Sequence, residues 1–270
     1  MIEHLLQQHV CERFISDARY REGHLRVVNA LPQRRVLGLH TPEMKMFARQ
    51  ISRNGAEVIL PGGLQRRCCN GSEVIACFEQ VSAASLCYEE TVIWGFLINK
   101  EKCTPEHRFA MLSKFVPVLD NWAVCDAFCA NAKWMTKVDK ELLWHWLQQW
   151  FDSKREFEVR FALVTSMCYL LCDGWVSKVF NRIETLPFDD IVSPYRTIKG
   201  KPKTIQEGCV QGASPYYVRM AAAWLLATAL AKFPEQTRAF VGSSHLPADV
   251  IKLYVRKARE SFRTRTVKAL

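Results

Sequence analysis

Thr41-Pro42-Glu43-Met44-Lys45-Met46-Phe47-Ala48-Arg49-Gln50-Ile51-Ser52 reads as a helix from end to end. The threonine offers a cap, and the proline takes the first helical position, where a missing N–H costs nothing. The glutamate faces the positive end of the helix dipole. Behind them Met44, Phe47, Ala48 and Ile51 recur at helical spacing, and Gly38 stands just ahead, where a preceding segment would end. The same punctuation returns at Thr104-Pro105-Glu106, and comparable apolar spacing runs through residues 72–84, 88–99, 104–118 and 137–151. The last of these carries Leu143, Trp146, Leu147 and Trp150 on one stripe. No convincing strand alternation interrupts the series, so the class is all-α.

Many helices of roughly 10 to 18 residues with short joints point to antiparallel helix pairs stacked as an α-α solenoid. No clean sequence repeat is present, which favours HEAT-like pairs over repeats with a written signature. A single HEAT-like domain over residues 1–270 is expected, with two interruptions. One is a turn-rich joint from Pro61-Gly62-Gly63 to Asn70-Gly71. The other is a long loop or insertion at about 187–215, bearing Arg196, Lys199, Lys201 and Lys203. A loop of that length is usually functional or disordered, and its bases could reach phosphates.

With 37 basic against 27 acidic side chains and a net charge of +10, a polyanionic partner is favoured, nucleic acid first and an anionic membrane surface second. The hydrophobic share of 49% excludes a disordered or fibrous chain. Eleven cysteines without framework spacing fit a reducing, cytoplasmic compartment, and the lack of any C-x-x-C pair argues against a metal site. No signal peptide or membrane span is expected, nor any cofactor or obligate protein partner.

Four places carry candidate chemistry. In Leu119-Asp120-Asn121-Trp122-Ala123-Val124-Cys125-Asp126-Ala127-Phe128-Cys129, Asp120 or Asn121 can cap a helix. Trp122, Asp126 and Cys129 then share one side, with Val124, Ala127 and Phe128 opposite. An outward indole beside a carboxylate suits a cationic ligand. The plain alternative is a tryptophan folded onto a neighbouring helix and a solvated acid. Arg160 lies on a helix apolar on nearly every side, in line with Val164, Met167 and Leu171, and is either paired with an internal acid or a clamp on a phosphate or on Asp126. Trp224 shares a stripe with Tyr217, Met220, Ala221, Thr228 and Ala231, whose small members leave its ring accessible; core packing is the alternative. Lys252, Arg256, Arg259 and Arg263, at offsets of four, three and four, predict a basic stripe along about 16 Å of helix, either a solvated face or a phosphate track.

Taken in order, Asn121-Trp122-Ala123-Val124-Cys125-Asp126, Val159-Arg160-Phe161 and Tyr216-Tyr217-Val218-Arg219-Met220-Ala221-Ala222-Ala223-Trp224 resemble the AlkD-type DNA alkylation repair glycosylases. Val36-Leu37-Gly38-Leu39-His40-Thr41-Pro42-Glu43, Tyr88-Glu89-Glu90 and Trp94-Gly95 extend the likeness over roughly residues 20–262. The segment 187–215 is longer than is usual in that family, and residues 60–70 do not resemble it.

The resemblance implies a HEAT-like solenoid whose concave basic face cradles duplex DNA. It also implies hydrolysis of the N-glycosidic bond of cationic N3- or N7-alkylated purines, in a cleft and without base flipping. Asp126 would be the catalytic carboxylate, Trp122 and Trp224 the aromatic walls, and Arg160 a cation near carboxylate and backbone. Lys252, Arg256, Arg259 and Arg263 would join Arg160 in binding DNA. The partner would be double-stranded DNA containing alkylated bases, with nucleoid association when bound. Two further readings stand beside it: a non-catalytic HEAT-like protein binding bent or branched DNA, and a protein-binding helical scaffold.

Overall fold

A computed structural model describes residues 1–198, 201–204 and 215–270, with side chains for all of these except 196–198, 201, 203 and 204. The described residues form fourteen α-helices and two small antiparallel hairpins, the all-α composition of a helical-repeat solenoid. By internal contacts the chain divides into two units, Met1–Trp134 and Met135–Leu270.

In the first unit the helices are α1 (Glu3–Gln7), α2 (Glu12–Ser16), α3 (Ala18–Val28), α4 (Thr41–Asn54), α5 (Gly71–Phe78), α6 (Tyr88–Lys100), α7 (Pro105–Phe115) and α8 (Trp122–Asn131). Helix α4 begins at Thr41 as expected, but the capping bond sits one residue earlier: the His40 N–H donates to Glu43 Oε2 at 2.8 Å. Thr104 caps α7 through a 3.3 Å bond from the His107 N–H. That helix ends at Phe115 and tightens into a 3-10 turn around Pro117, whose ring nitrogen has no hydrogen to donate to the preceding turn. The helix expected over 72–84 stops at Phe78.

Helix α6 runs through the middle of this unit, packed against α4, α5, α7 and α8. Eleven consecutive residues, Tyr88 to Ile98, are buried, including two glutamates. A buried carboxylate must replace its lost water with donors. Glu89 takes the backbone N–H groups of Leu37, Gly38 and Leu39, at 2.8 to 3.3 Å, and burial pushes its carboxyl above the ordinary range. Glu90 takes those of Cys87 at 2.9 Å and Ile2 at 2.7 Å. The loop wrapped around Glu89 turns at Gly38, where φ is +95° and an added Cβ would lie 2.3 Å from the Phe14 ring, so only glycine fits. On the opposite flank Gly95 lets α6 approach α8; a Cβ there would meet Phe115 at 2.9 Å and Phe128 at 3.2 Å.

The second unit contains α9 (Lys140–Phe151), α10 (Glu156–Tyr169), α11 (Val176–Glu184), α12 (Tyr216–Lys232), α13 (Pro234–Ser243) and α14 (Ala248–Glu260). Helix α10 packs between α9 and α12, and α12 packs in turn on α13 and α14. Helix α9 starts three residues later than expected because Asp139 caps it, accepting from the Leu142 N–H at 2.9 Å.

Both interruptions contain strands where none was expected. Ala56–Ile59 (β1) pairs with Gln65–Cys68 (β2), and Tyr195–Ile198 (β3) with Lys201–Thr204 (β4). Four-residue strands are too short for alternation to stand out, and Gln65-Arg66-Arg67 has no apolar member to alternate. Within the 187–215 segment, Lys199 and the side chains of Arg196, Lys201 and Lys203 lie outside the described residues.

Candidate functional site

Helix α8 is launched by an asparagine. Asn121, 1% exposed, accepts the Ala123 N–H through Oδ1 at 2.8 Å and donates through Nδ2 to the Val28 carbonyl at 2.8 Å. One side chain therefore caps α8 and fastens it to the end of α3. Asp120, the other cap candidate, is engaged elsewhere. Arg34 donates Nε at 3.0 Å and Nη2 at 2.5 Å to its Oδ2, and reaches the carbonyls of Ala83 and Leu86 as well. Burial nonetheless raises the Asp120 carboxyl above its ordinary value, against the pull of Arg34.

From that start Val124, Cys125, Phe128 and Cys129 turn inward, while Trp122 and Asp126 stand half-buried one turn apart. The expected outward pair is present. Cys129 is the correction: it is fully buried, because the inward arc of α8 is wider than a single stripe. The Trp122 indole N–H donates to the Val27 carbonyl at 3.3 Å, which holds the ring over the end of α3. An aromatic face and a carboxylate are thus offered together from the first two turns of one helix.

In the second unit Arg160 is 3% exposed, and its Nη1 donates to the Tyr217 carbonyl at 2.7 Å. One turn earlier on α10, Glu156 accepts the Tyr217 N–H at 2.5 Å and the Val218 N–H at 3.2 Å, and the Ser193 hydroxyl bonds its other oxygen. Acid and base four residues apart grip the first turn of α12. Burial pushes Glu156 up to about 7, against its three hydrogen bonds and the nearby Arg160. Glu156 is thus an acid within electrostatic reach of Arg160, and the two are joined through the first turn of α12. Glu156 itself escaped the sequence reading, although Glu156 and Arg160 at i and i+4 on an otherwise apolar helix were the available signal.

Trp224, 36% exposed, lines a groove with Met167, Thr228, Lys232, Phe262 and Arg263. The accessible ring expected there is observed. The basic stripe, however, is broken: α14 ends at Glu260, so Arg263 sits in the turns beyond it and joins the Trp224 groove instead. Lys252, Arg256 and Arg259 remain on α14, exposed, beside a second groove that includes Tyr216 and Ile251. Arg256 is shared between the Tyr216 hydroxyl at 3.4 Å and Glu260 at 3.6 Å.

Glu3, Cys87 and Glu90 bring potential metal ligands within 4.8 Å of one another. Their atoms are already committed: Glu90 to backbone N–H groups, and Glu3 to Arg35 at 2.6 Å. Among the described residues no helix is long and apolar enough to cross a membrane.

These features define the class first: an all-α helical-repeat protein presenting a tryptophan and a carboxylate side by side on a capped helix. A family model described as DNA alkylation repair enzyme matches residues 11–187, and the chain belongs to that family, of the AlkD type. No curated protein and no solved structure matches the chain. The matched range contains Trp122, Asp126 and Arg160; Trp224 and α14 lie beyond it. The protein is accordingly an enzyme of DNA alkylation repair whose substrate is DNA.

Proposed function

We propose that the protein is a DNA glycosylase that hydrolyses the bond between deoxyribose and a cationic N3- or N7-alkylated purine in duplex DNA, without flipping the base. The observation that carries the reading is the pairing of Trp122 and Asp126 on α8, in a chain of the alkylation-repair family.

The chemistry asks little of the protein. An alkylated purine that already bears a positive charge leaves as a neutral base when it takes the electron pair of the C1′–N bond, so no acid is needed to protonate it. What remains is a sugar with oxocarbenium character and the placement of one water. A fixed carboxylate at Asp126 stabilises the positive sugar. It also accepts a proton from the water as oxygen bonds to C1′, then returns that proton to solvent. The faces of Trp122 and Trp224 favour a cationic over a neutral nucleotide, each by roughly 0.5–2 kcal/mol. Arg160, held through the Tyr217 carbonyl, supplies a fixed positive charge for the DNA backbone. Lys252, Arg256, Arg259 and Arg263 contact phosphates of the duplex.

Incubation with methylated duplex DNA tests the reaction class. The expected products are free methylpurines, identified by mass spectrometry, and matching abasic sites. DNA recovered with its alkylated bases still attached, alongside selective binding of bent or branched duplexes, would support the non-catalytic reading instead.

A further inference from the structure

The first unit carries a second basic feature that the proposed chemistry does not use. The last two turns of α4, the end of α6 and the start of α5 converge on a polar groove lined by Arg49, Arg53, Lys100 and Lys102, with Asn70 and Ser72 between them. The one acid in its lining, Glu101, accepts the Ser72 hydroxyl at 2.8 Å, so four cations face one carboxylate already in use. All four cations are exposed, and none of them forms an ion pair among the described residues.

Helix dipoles explain a part of this. Arg53 and Lys100 lie in the last turns of their helices, where a positive charge is favoured. That accounts for one cation at each terminus and not for four on one groove. Partial burial, followed by the charges of Arg49 and Arg53, holds Lys100 below its ordinary value, so the crowding is unfavourable until an anion enters. The groove is open and walled by exposed side chains, which suits a polymer passing over it better than an enclosed small anion. Its position agrees. Asn99 donates to the carbonyl of Phe128 at 3.1 Å, fixing the groove near the far end of α8, and Phe128 stands six positions beyond Trp122 on that helix. That is about 9 Å along the axis, against about 1.7 Å per charge in duplex DNA.

We propose that the groove of Arg49, Arg53, Lys100 and Lys102 binds the phosphodiester backbone of DNA at a distance from the reacting base. The occupant follows from the DNA substrate, while the groove's role does not require glycosylase chemistry; in that respect the proposal extends the reading above.

The experiment compares the parent with Arg49→Gln/Arg53→Gln on a duplex containing one 7-methylguanine, measuring affinity from 50 to 300 mM salt. Losing two phosphate contacts lowers the slope of log K against log salt by about 1.8. Affinity at low salt falls at least tenfold, and the single-turnover rate at saturating DNA is unchanged. An unchanged slope and affinity overturn the proposal. So does a variant with a lower melting temperature and parent-like DNA binding, since the arginines would then serve only the helix ends. Inorganic phosphate titrated into the parent separates the sources: tight binding of free phosphate with no change in DNA slope also overturns it. If neither protein releases base but the slope still falls, the groove stands and the glycosylase reading does not.

Discussion

Trp122 does two things with one side chain. Its N–H bonds the Val27 carbonyl, and its ring face stays partly open beside Asp126. Separating the two gives a prediction. Trp122→Phe keeps an aromatic face and loses the bond, whereas Trp122→Ala loses both. If the face stabilises the cationic nucleotide by about 0.5–2 kcal/mol, release of 7-methylguanine slows roughly 2- to 30-fold in the alanine variant and less in the phenylalanine one. Single-turnover rates at saturating DNA decide, and equal rates for both variants and parent would remove the aromatic wall from the account. The outward Trp122/Asp126 pair was legible in advance because a 3.6-residue period needs only local sequence. The choice of cap was not. Asp120 and Asn121 are equivalent to any local rule, and the tie is broken by Arg34, 86 residues away in the chain, which takes Asp120 for itself.

At the scale of elements, caps and pairings decide what periodicity leaves open. Helix α12 begins at Pro215-Tyr216-Tyr217 with no side-chain cap of its own, and its first N–H groups are satisfied by Glu156 from α10. Such a cap cannot be read locally. It does have a pH signature. With the folded carboxyl at about 7 against an ordinary 4.5, the folded state binds a proton that the unfolded chain has released. The favourable contribution of that proton is complete below pH 4.5 and is lost as pH rises through about 7. Parent stability should therefore decline relative to Glu156→Gln between pH 4.5 and 8, by on the order of 3 kcal/mol. Urea unfolding of both proteins across that range measures it, and a gap that does not move with pH would contradict the assignment. The hairpins at 56–68 and 195–204 teach a related lesson. Paired strands of four residues are specified by the partner segment and the turn, neither of which leaves a periodic trace.

Over the whole molecule, the all-α class was readable from the Thr-Pro-Glu punctuation at Thr41 and Thr104 and from the helical spacing of apolar residues, both of which are local signals. The basic excess of +10 pointed to a polyanion, and family membership makes that polyanion DNA. What composition could not reveal is how the charge is distributed. Three cations of the expected stripe lie along α14, Arg263 turns into the Trp224 groove, and four more gather at the ends of α4 and α6. Spacing along one helix predicts a stripe only while that helix lasts, and α14 ends before Arg263. Charges that converge from separate helices leave no spacing to find. In the proposed function these cations bind DNA, and the reaction rests on one side chain, Asp126. Asp126→Asn keeps the size and half-buried position of that side chain and removes its charge. The measurement is single-turnover release of 7-methylguanine from a defined duplex, with affinity for the same duplex measured in parallel. The variant is expected to bind as the parent does and to release base at least a hundredfold more slowly; release at the parental rate would contradict the assignment of Asp126.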